Sequence, residues 1–373
     1  MSDDALDLGF LGDDIFTEPQ QADIIEDDGA RGLKFSFIGA GQCGNNMCSQ
    51  LWEQGYRRVI LFNTTEKDLR INRVPPKYHV IAESYDGAGK NREVGKEAAR
   101  ASSSRIVELM SERFKGSDFI FIVTSSGGGS GSGSAWVLAK LAVSYLVQNQ
   151  GLSDAEATSR VGVIGVLPKP QEGSASIRNS AEFIRDFVDE KGKSYGHSPL
   201  IFIDNARAAS NLPSTIAVSD VNPTINKIIT QLLDVFNITS ARHSDIATFD
   251  PQDFAGILKS GIVTFGGSGL KKIENDADIA RQVKVNLTNN MLVEKLDVST
   301  GTHSGLLLLA GDSLLGRMPQ SAITLAQETI TSLLGVDANK TVYNQCGVYR
   351  QVKEQLNIFT IIGGVSFPMN RLK

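Results

Sequence analysis

The chain has 373 residues, 41% of them hydrophobic, with 37 basic and 42 acidic side chains and a formal net charge of −5. That is long enough for two domains, or one large domain with an appendage, around a sizeable core. No apolar run approaches the ~20 residues that span a bilayer, no leader peptide is visible, and Cys43, Cys48 and Cys346 lack disulfide or zinc spacing, so a cytoplasmic protein with reduced thiols is expected.

Charge is unevenly placed. Residues 1–30 hold ten acids (Asp3, Asp4, Asp7, Asp13, Asp14, Glu18, Asp23, Glu26, Asp27, Asp28) and no Lys or Arg. The other 32 acids face all 37 basic residues, so the body is about +5. That is too weak a balance to argue direct nucleic-acid binding. A solvated disordered arm accounts for 1–30. Its apolar groups, Leu8–Leu11 and Ile15-Phe16, equally suit docking on an adaptor or a neighbouring subunit.

From Lys34 onward, short apolar runs alternate with helix-period segments, the pattern of parallel strands with crossover helices. Strands are predicted at Lys34–Ile38, Val59–Phe62, Phe119–Val123, Val161–Leu167 and Leu200–Ile203. Helices are predicted at Val94–Phe114, Ala135–Val147 and Ala175–Val188. A long helix is predicted to start near Pro223, a good first-turn residue. Its residues Ile225, Ile228, Ile229, Leu232, Leu233 and Phe236 form one apolar face. Beyond it, strands at Gly261–Phe265, Gly305–Ala310, Thr341–Tyr349 and Asn357–Val365 accompany helices near Asp276–Val285 and Pro319–Leu334. The expected fold is α/β: a Rossmann-like parallel-sheet domain over 31–220, a connecting helix over 221–245, and a smaller α+β domain over 246–373.

Three glycine loops follow predicted strands. Gly39-Ala-Gly41-Gln-Cys-Gly44 is a GxGxxG, which a dinucleotide-binding dehydrogenase would also carry, with Glu66 as its ribose acid. Gly87-Ala88-Gly89-Lys-Asn91 and Gly127-Gly128-Gly129-Ser130-Gly131-Ser132-Gly133 are the other two. A flexible linker is the plainer reading of the last run. Its tight bracketing by a strand and a helix argues instead for a phosphate cradle. Three such loops at successive strand ends suit a nucleoside triphosphate along the sheet's carboxyl edge. No Walker A sequence is present.

These motifs resemble the tubulin/FtsZ GTPases. Ala40-Gly-Gln-Cys-Gly-Asn45, with Trp52-Glu53 in the same helix, is similar to the first nucleotide loop of eukaryotic tubulin. Gly127–Gly133 matches the family's GGGTGSG-type loop with Ser130 for threonine, and 87–95 resembles the γ-phosphate loop of FtsZ. Asn63-Thr64 with Lys67-Asp68-Leu69 is similar to plasmid and phage tubulins. The resemblance spans about residues 34–367 and implies GTP or GDP, with Mg2+ held through the nucleotide. It places Gly41, Gln42, Cys43 and Asn46 near base and α-phosphate, Gly127–Gly133 around the phosphates, and Gly87, Ala88, Gly89 and Asn91 at the γ-phosphate. It puts Glu172 on the ribose and has Asn205 and Asn226 read guanine. On residue preference alone, Asn205 also suits an ordinary turn after a strand and Asn226 a polar helix face.

Past the long helix, Asp250-Pro-Gln-Asp253 resembles the FtsZ synergy loop, which implies two catalytic acids. An i, i+3 spacing at a helix start puts both carboxylates on one side. Asp before Pro is also simply a good N-cap. A helix of ~17 residues is about 25 Å long. The family arrangement therefore implies that these acids serve the nucleotide of the next subunit in a head-to-tail homopolymer. Three roles are open: phage- or plasmid-type DNA positioning, FtsZ-like division, and a non-polymerising nucleotide-binding regulator. The first is favoured because the chain stops six residues after Phe367, without the terminal linker of FtsZ or the outer helices of tubulin.

Overall fold

Phe35–Ala40 (β1) is buried at every position, as a strand covered on both faces must be. The computed structural model describes residues 31–70, 72–213, 215–288, 290, 296–335 and 340–372; the acidic arm lies outside them. In chain order β1 leads to α1 (Gly41–Glu53), β2 (Val59–Asn63), β3 (His79–Ile81), α2 (Arg92–Ala101) and α3 (Ser103–Arg113). Next come β4 (Phe119–Ser125), α4 (Ser130–Gln150), α5 (Asp154–Thr158), β5 (Val161–Leu167), α6 (Ser174–Phe187) and β6 (Leu200–Asp204). Then follow α7 (Asn205–Ser210), α8 (Val218–Ser240), α9 (Pro251–Leu258), β7 (Ile262–Leu270) and α10 (Ala277–Thr288). The chain finishes with β8 (His303–Ala310), α11 (Asp312–Leu315), α12 (Gln320–Leu334), β9 (Tyr343–Arg350) and β10 (Leu356–Val365).

All ten strands form one sheet in the order β3-β2-β1-β4-β5-β6-β7-β10-β8-β9. The first six pair in parallel. β7–β10 and β10–β8 are antiparallel, and β8–β9 is parallel again. One register pair, Leu200↔Ile262, joins the parallel part to the rest. The chain reverses direction across the sheet between β1 and β4, so loops at the carboxyl ends of these two strands flank a crevice.

Several predicted elements differ in detail. Val94–Phe114 is two helices, α2 and α3, broken at Ser102. Consecutive serines there offer the backbone alternative hydrogen bonds. The helix expected at Ala135 begins at Ser130, so half the glycine run is helical. The long helix begins at Val218 and carries Pro223 in its interior. Proline is tolerated there because the turn ahead of it is solvent-facing, with Val218 92% exposed. The apolar stripe from Ile225 to Phe236 is buried as expected, against α1, α9 and β7.

The start of β1 is clamped to this long helix. Arg31 Nε donates to Asp234 Oδ1 at 2.8 Å, and Tyr56 Oη donates to the same oxygen at 2.8 Å. Leu33 N donates to Asn237 Oδ1 at 2.8 Å. Arg31 and Asp234 are 8% and 4% exposed. Burial opposes the charge on Arg31, yet Tyr56 and Asp234 beside it hold the guanidinium protonated. Removing one partner of such a buried pair strands the other. Asp234→Ala is expected to lower unfolding free energy by about 3–5 kcal/mol, against about 1 kcal/mol for Tyr56→Phe, both read from urea denaturation.

Candidate nucleotide-binding site

Loops after five neighbouring strands converge on Gly127–Gly131. An added Cβ at Gly41 would lie 3.0 Å from Gly131 N, and one at Gly131 would lie 2.2 Å from Thr124 Oγ1 and 2.4 Å from Ala40 O. Thr64 Oγ1, after β2, shares a 2.6 Å hydrogen bond with Ser130 Oγ. A Cβ at Gly129 would meet Ala88 Cβ and Asn91 N, both at 2.8 Å. A Cβ at Gly127 would be 3.1 Å from Ser176 Cβ and 3.2 Å from Pro168 Cβ. A Cβ at Gly133 would sit 2.0 Å from Arg92 O, which seats α2 directly on α4.

The glycines therefore divide into two groups. Those at 41, 129, 131 and 133 allow backbones to approach, and Gly127 lets the side chains of Ser176 and Pro168 close in. Those at 87, 89 and 173 have positive φ and face open space, with nothing within 4 Å of an added Cβ. Together with Gly128, whose added Cβ would meet only Ser125 Oγ at 3.4 Å, they line the crevice. The first turn of α4 has neither a side-chain cap nor an acidic residue. Its N–H groups and helix dipole are left to favour an anion. The residues present fit a phosphate chain.

Other predicted residues surround this cradle. Gln42 and Asn46 lie exposed on α1, and Cys43 is half-buried beside them. Burial pushes the Cys43 thiol up to about 12, and the neighbouring Glu172 carboxylate adds to the shift. Glu172 is thus close enough to α1 for its charge to be felt at Cys43. It is itself fixed by accepting from Lys169 N at 2.9 Å through Oε1. Asn205 opens α7, where Asp204 caps by accepting from Ala206 N and Arg207 N. Asn226 is half-buried on α8, which packs against α7. Because α8 starts early, Asn226 lies more than two turns in rather than one.

Three residues that sequence reasoning missed hold the loops together. Asn179 Nδ2 donates to Lys90 O at 2.8 Å, Gly128 O at 3.2 Å and Gly127 O at 3.3 Å. The residue of α6 that turns inward is thus Asn179, while Arg178 is exposed. Lys90 takes φ +61° and donates to Ser176 Oγ at 2.7 Å and Glu172 O at 3.2 Å. Arg92 donates to Ser132 Oγ at 2.9 Å and pairs with Glu182 and Asp186. Only Lys90, a lone cation inside a glycine loop, carried a visible sequence signal.

Asp250 and Asp253 are far from this crevice. Asp250 caps α9, its Oδ1 accepting from Gln252 N at 2.8 Å and Asp253 N at 2.9 Å. Asp253 Oδ2 accepts in return from Asp250 N at 3.1 Å. Partial burial, with the Asp250 charge adding to it, raises the Asp253 carboxyl above its ordinary range. Their neighbour Pro251 Cγ lies 3.0 Å from where a Cβ of Gly32 would be, just before β1. The glycine cradle lies beyond the other end of β1. Six strand residues, at ~3.3 Å each, separate the two by about 20 Å. No cluster of three or more metal-ligating side chains occurs among the described residues, and no helix among them is long and apolar enough to cross a membrane.

Residues 34–207 match the Tubulin/FtsZ family, GTPase domain. Residues 34–207 thus form a GTPase domain of the tubulin/FtsZ kind. It is 26% identical over 274 residues to the tubulin-like protein TubZ of Bacillus cereus, covering 68% of this chain and only 59% of that relative. Cell division protein FtsZ 1 of Methanocaldococcus jannaschii is 22% identical over 93% of this chain and 87% of its own length. Among solved structures, a GTPγS-bound protofilament of CetZ2 from Haloferax volcanii superposes with a TM-score of 0.73 at 19% identity, over 91% of this chain and 96% of that one.

Two outcomes follow from this packing. Gly131→Ala is expected to destabilise the fold by about 1–3 kcal/mol because backbone must move, as measured by chemical denaturation; a flexible linker would tolerate it. Cys43 and Cys346 titrate at about 12 against an ordinary 9.0, and Cys48 higher still. Their buried neutral thiols favour the fold below about pH 9, and that contribution is lost as pH rises towards 12. Cys48, fully buried, is expected to resist thiol reagents at pH 8 until denaturant is added, while the half-buried Cys43 and Cys346 react first.

Proposed function

We propose that this chain is a GTPase that polymerises head to tail and hydrolyses GTP between subunits. The supporting observation is the placement of two half-sites on opposite edges of one sheet, with the cradle beyond the carboxyl ends of β1 and β4 and Asp250–Asp253 beside the start of β1. A carboxylate pair about 20 Å from the cradle of its own chain can act only on the cradle of another. Head-to-tail contact between such edges is heterologous and propagates. The protofilament of CetZ2 is a fold neighbour with this form of assembly.

In this reading Gly127–Gly133 and the first turn of α4 hold the α- and β-phosphates, and Gly87–Asn91 meets the γ-phosphate. Mg2+ arrives with the nucleotide and neutralises phosphate charge. Glu172 takes the ribose hydroxyls; Gln42, Cys43, Asn46, Asn205 and Asn226 surround guanine. Asp250 and Asp253 of the next subunit orient the attacking water in line with the bond to be broken. The raised Asp253 carboxyl suits an acceptor of that water's proton. Loss of the γ-phosphate then releases the Gly87–Asn91 loop and weakens the contact.

For the cellular role, the first reading is positioning or segregating DNA, on the likeness of Asn63-Thr64 and Lys67-Asp68-Leu69 to plasmid and phage tubulins, and the cell division protein FtsZ 1 relative, which matches over 93% of this chain, supports division as the second. Imaging a tagged copy in its host separates them: moving filaments or spindles against midcell rings. A GTPase and sedimentation assay across protein concentration tests the assembly itself. Activity is expected to rise cooperatively above a threshold, and flat specific activity without pelleting would leave only a monomeric nucleotide-binding regulator. Asp253→Asn retains an oxygen for the capping hydrogen bond from Asp250 N, so its stability at neutral pH is expected not to fall. Turnover should nonetheless drop at least 100-fold, the scale of removing a catalytic proton acceptor, while filaments persist.

A further inference from the structure

Lys90 is the only charged residue between Gly87 and Asn91. Its backbone takes φ +61°, next to Gly89 at +53°. That left-handed region suits glycine and disfavours any residue with a Cβ. The conformation is held by Asn179, whose Nδ2 ties Lys90 O at 2.8 Å to the Gly127 and Gly128 carbonyls. A lysine kept where glycine would sit without strain points to a use for its ammonium.

The ammonium is stationed beside the phosphate cradle. Nζ donates to Ser176 Oγ at 2.7 Å and to Glu172 O at 3.2 Å. Ser176 Cβ lies 3.1 Å from an added Cβ at Gly127, which puts this station next to the start of the glycine run. Both acceptors are neutral. The acids near the loop have other partners: Asp86 pairs with Lys67 at 3.2 Å and Glu93 with Lys96 at 3.4 Å. Arg92 takes Glu182 and Asp186. Among the described residues no carboxylate pairs with Lys90. An ammonium has three donors, and two are spent on groups that cancel no charge. Water satisfies an exposed ammonium by itself; what singles out Lys90 is where its strained backbone and Ser176 hold it. Gly87, Gly89 and Gly173 leave the space around it open.

We propose that Lys90 recognises the terminal phosphate, so that one ammonium distinguishes GTP from GDP. This rests on the nucleotide-site reading above, in which the Gly87–Asn91 loop meets the γ-phosphate. A phosphate oxygen is a charge-matched acceptor, which neither Ser176 nor the Glu172 carbonyl is. Lysine also suits the task as a compact charge on a flexible stem with rotatable donors. With a diphosphate bound, the ammonium stays on Ser176 and Glu172. With a triphosphate it turns to the added charge, and loss of the γ-phosphate hands it back.

The test is equilibrium binding of GTPγS and of GDP, each with Mg2+, to the full chain below the concentration at which it pellets. For Lys90→Met the GTPγS dissociation constant is expected to rise roughly 10–100-fold, the scale of one hydrogen bond to a charged group. The GDP constant is expected to change less than about 3-fold. Lys90→Arg keeps the charge and should bind GTPγS more tightly than Lys90→Met. Lys90→Gly separates recognition from scaffolding. It removes the ammonium and relieves the positive φ, so its urea midpoint should not fall while its GTPγS affinity does. A mere strut between the loop and α6 would lower that midpoint and weaken both nucleotides alike, which would overturn the proposal. Unchanged GTPγS binding in Lys90→Met would overturn it too, and would leave the GTPase reading standing. Wild-type protein that binds neither nucleotide would remove that reading and the proposal together.

Discussion

The structure depends on how closely backbones pass one another at the carboxyl ends of β1 and β4. Gly41 meets Gly131 there, Gly44 meets the Val123 carbonyl, and Gly133 meets the Arg92 carbonyl. In each case an added Cβ would fall at or inside 3.0 Å of backbone or of a fixed hydroxyl. These contacts draw α1, α2 and α4 onto one edge of the sheet, where the first turns of α1 and α4 carry no side-chain cap. Nucleotide chemistry and core packing are thus the same interaction viewed from two sides. A phosphate cradle of this kind cannot be loosened without loosening the helices behind it.

The acid pair shows a similar economy. Asp250 and Asp253 satisfy each other's backbone donors in a reciprocal cap. Asp250 spends one carboxylate oxygen, Oδ1, on two amides, and Asp253 spends one oxygen on one. Each keeps a second oxygen outside these bonds. Capping and the proposed catalytic role therefore do not compete for the same lone pairs, and the helix start fixes both side chains in place. A plain N-cap would need only Asp250. The reciprocal cap uses the second acid as well, its Oδ2 accepting from Asp250 N.

Much of this was legible in the residues, for physical reasons. Parallel strands buried on both faces are continuous apolar runs, so Val161–Leu167 was read with its observed bounds. The three-residue β3 is too short to show a pattern. Helix starts were misread where packing overrode propensity: glycines open α4 because only they fit against Thr124 and Arg92, and α8 runs through Pro223 in solvent. Asn179 was invisible because its task is to hold three carbonyls from distant loops. Nothing in its sequence neighbourhood differs from an ordinary polar position on an amphipathic helix, beside the more conspicuous Arg178.

β1 acts as the strut between the two half-sites. At one end Ala40 presses on Gly131, and at the other Gly32 presses on Ser240 and Pro251. The lower joint is locked by Arg31, Tyr56 and Asn237 around the long helix, with Asp234 as the shared acceptor. A change at the cradle that shifted β1 along its axis would be felt at the start of α9 through hard contacts rather than a flexible hinge.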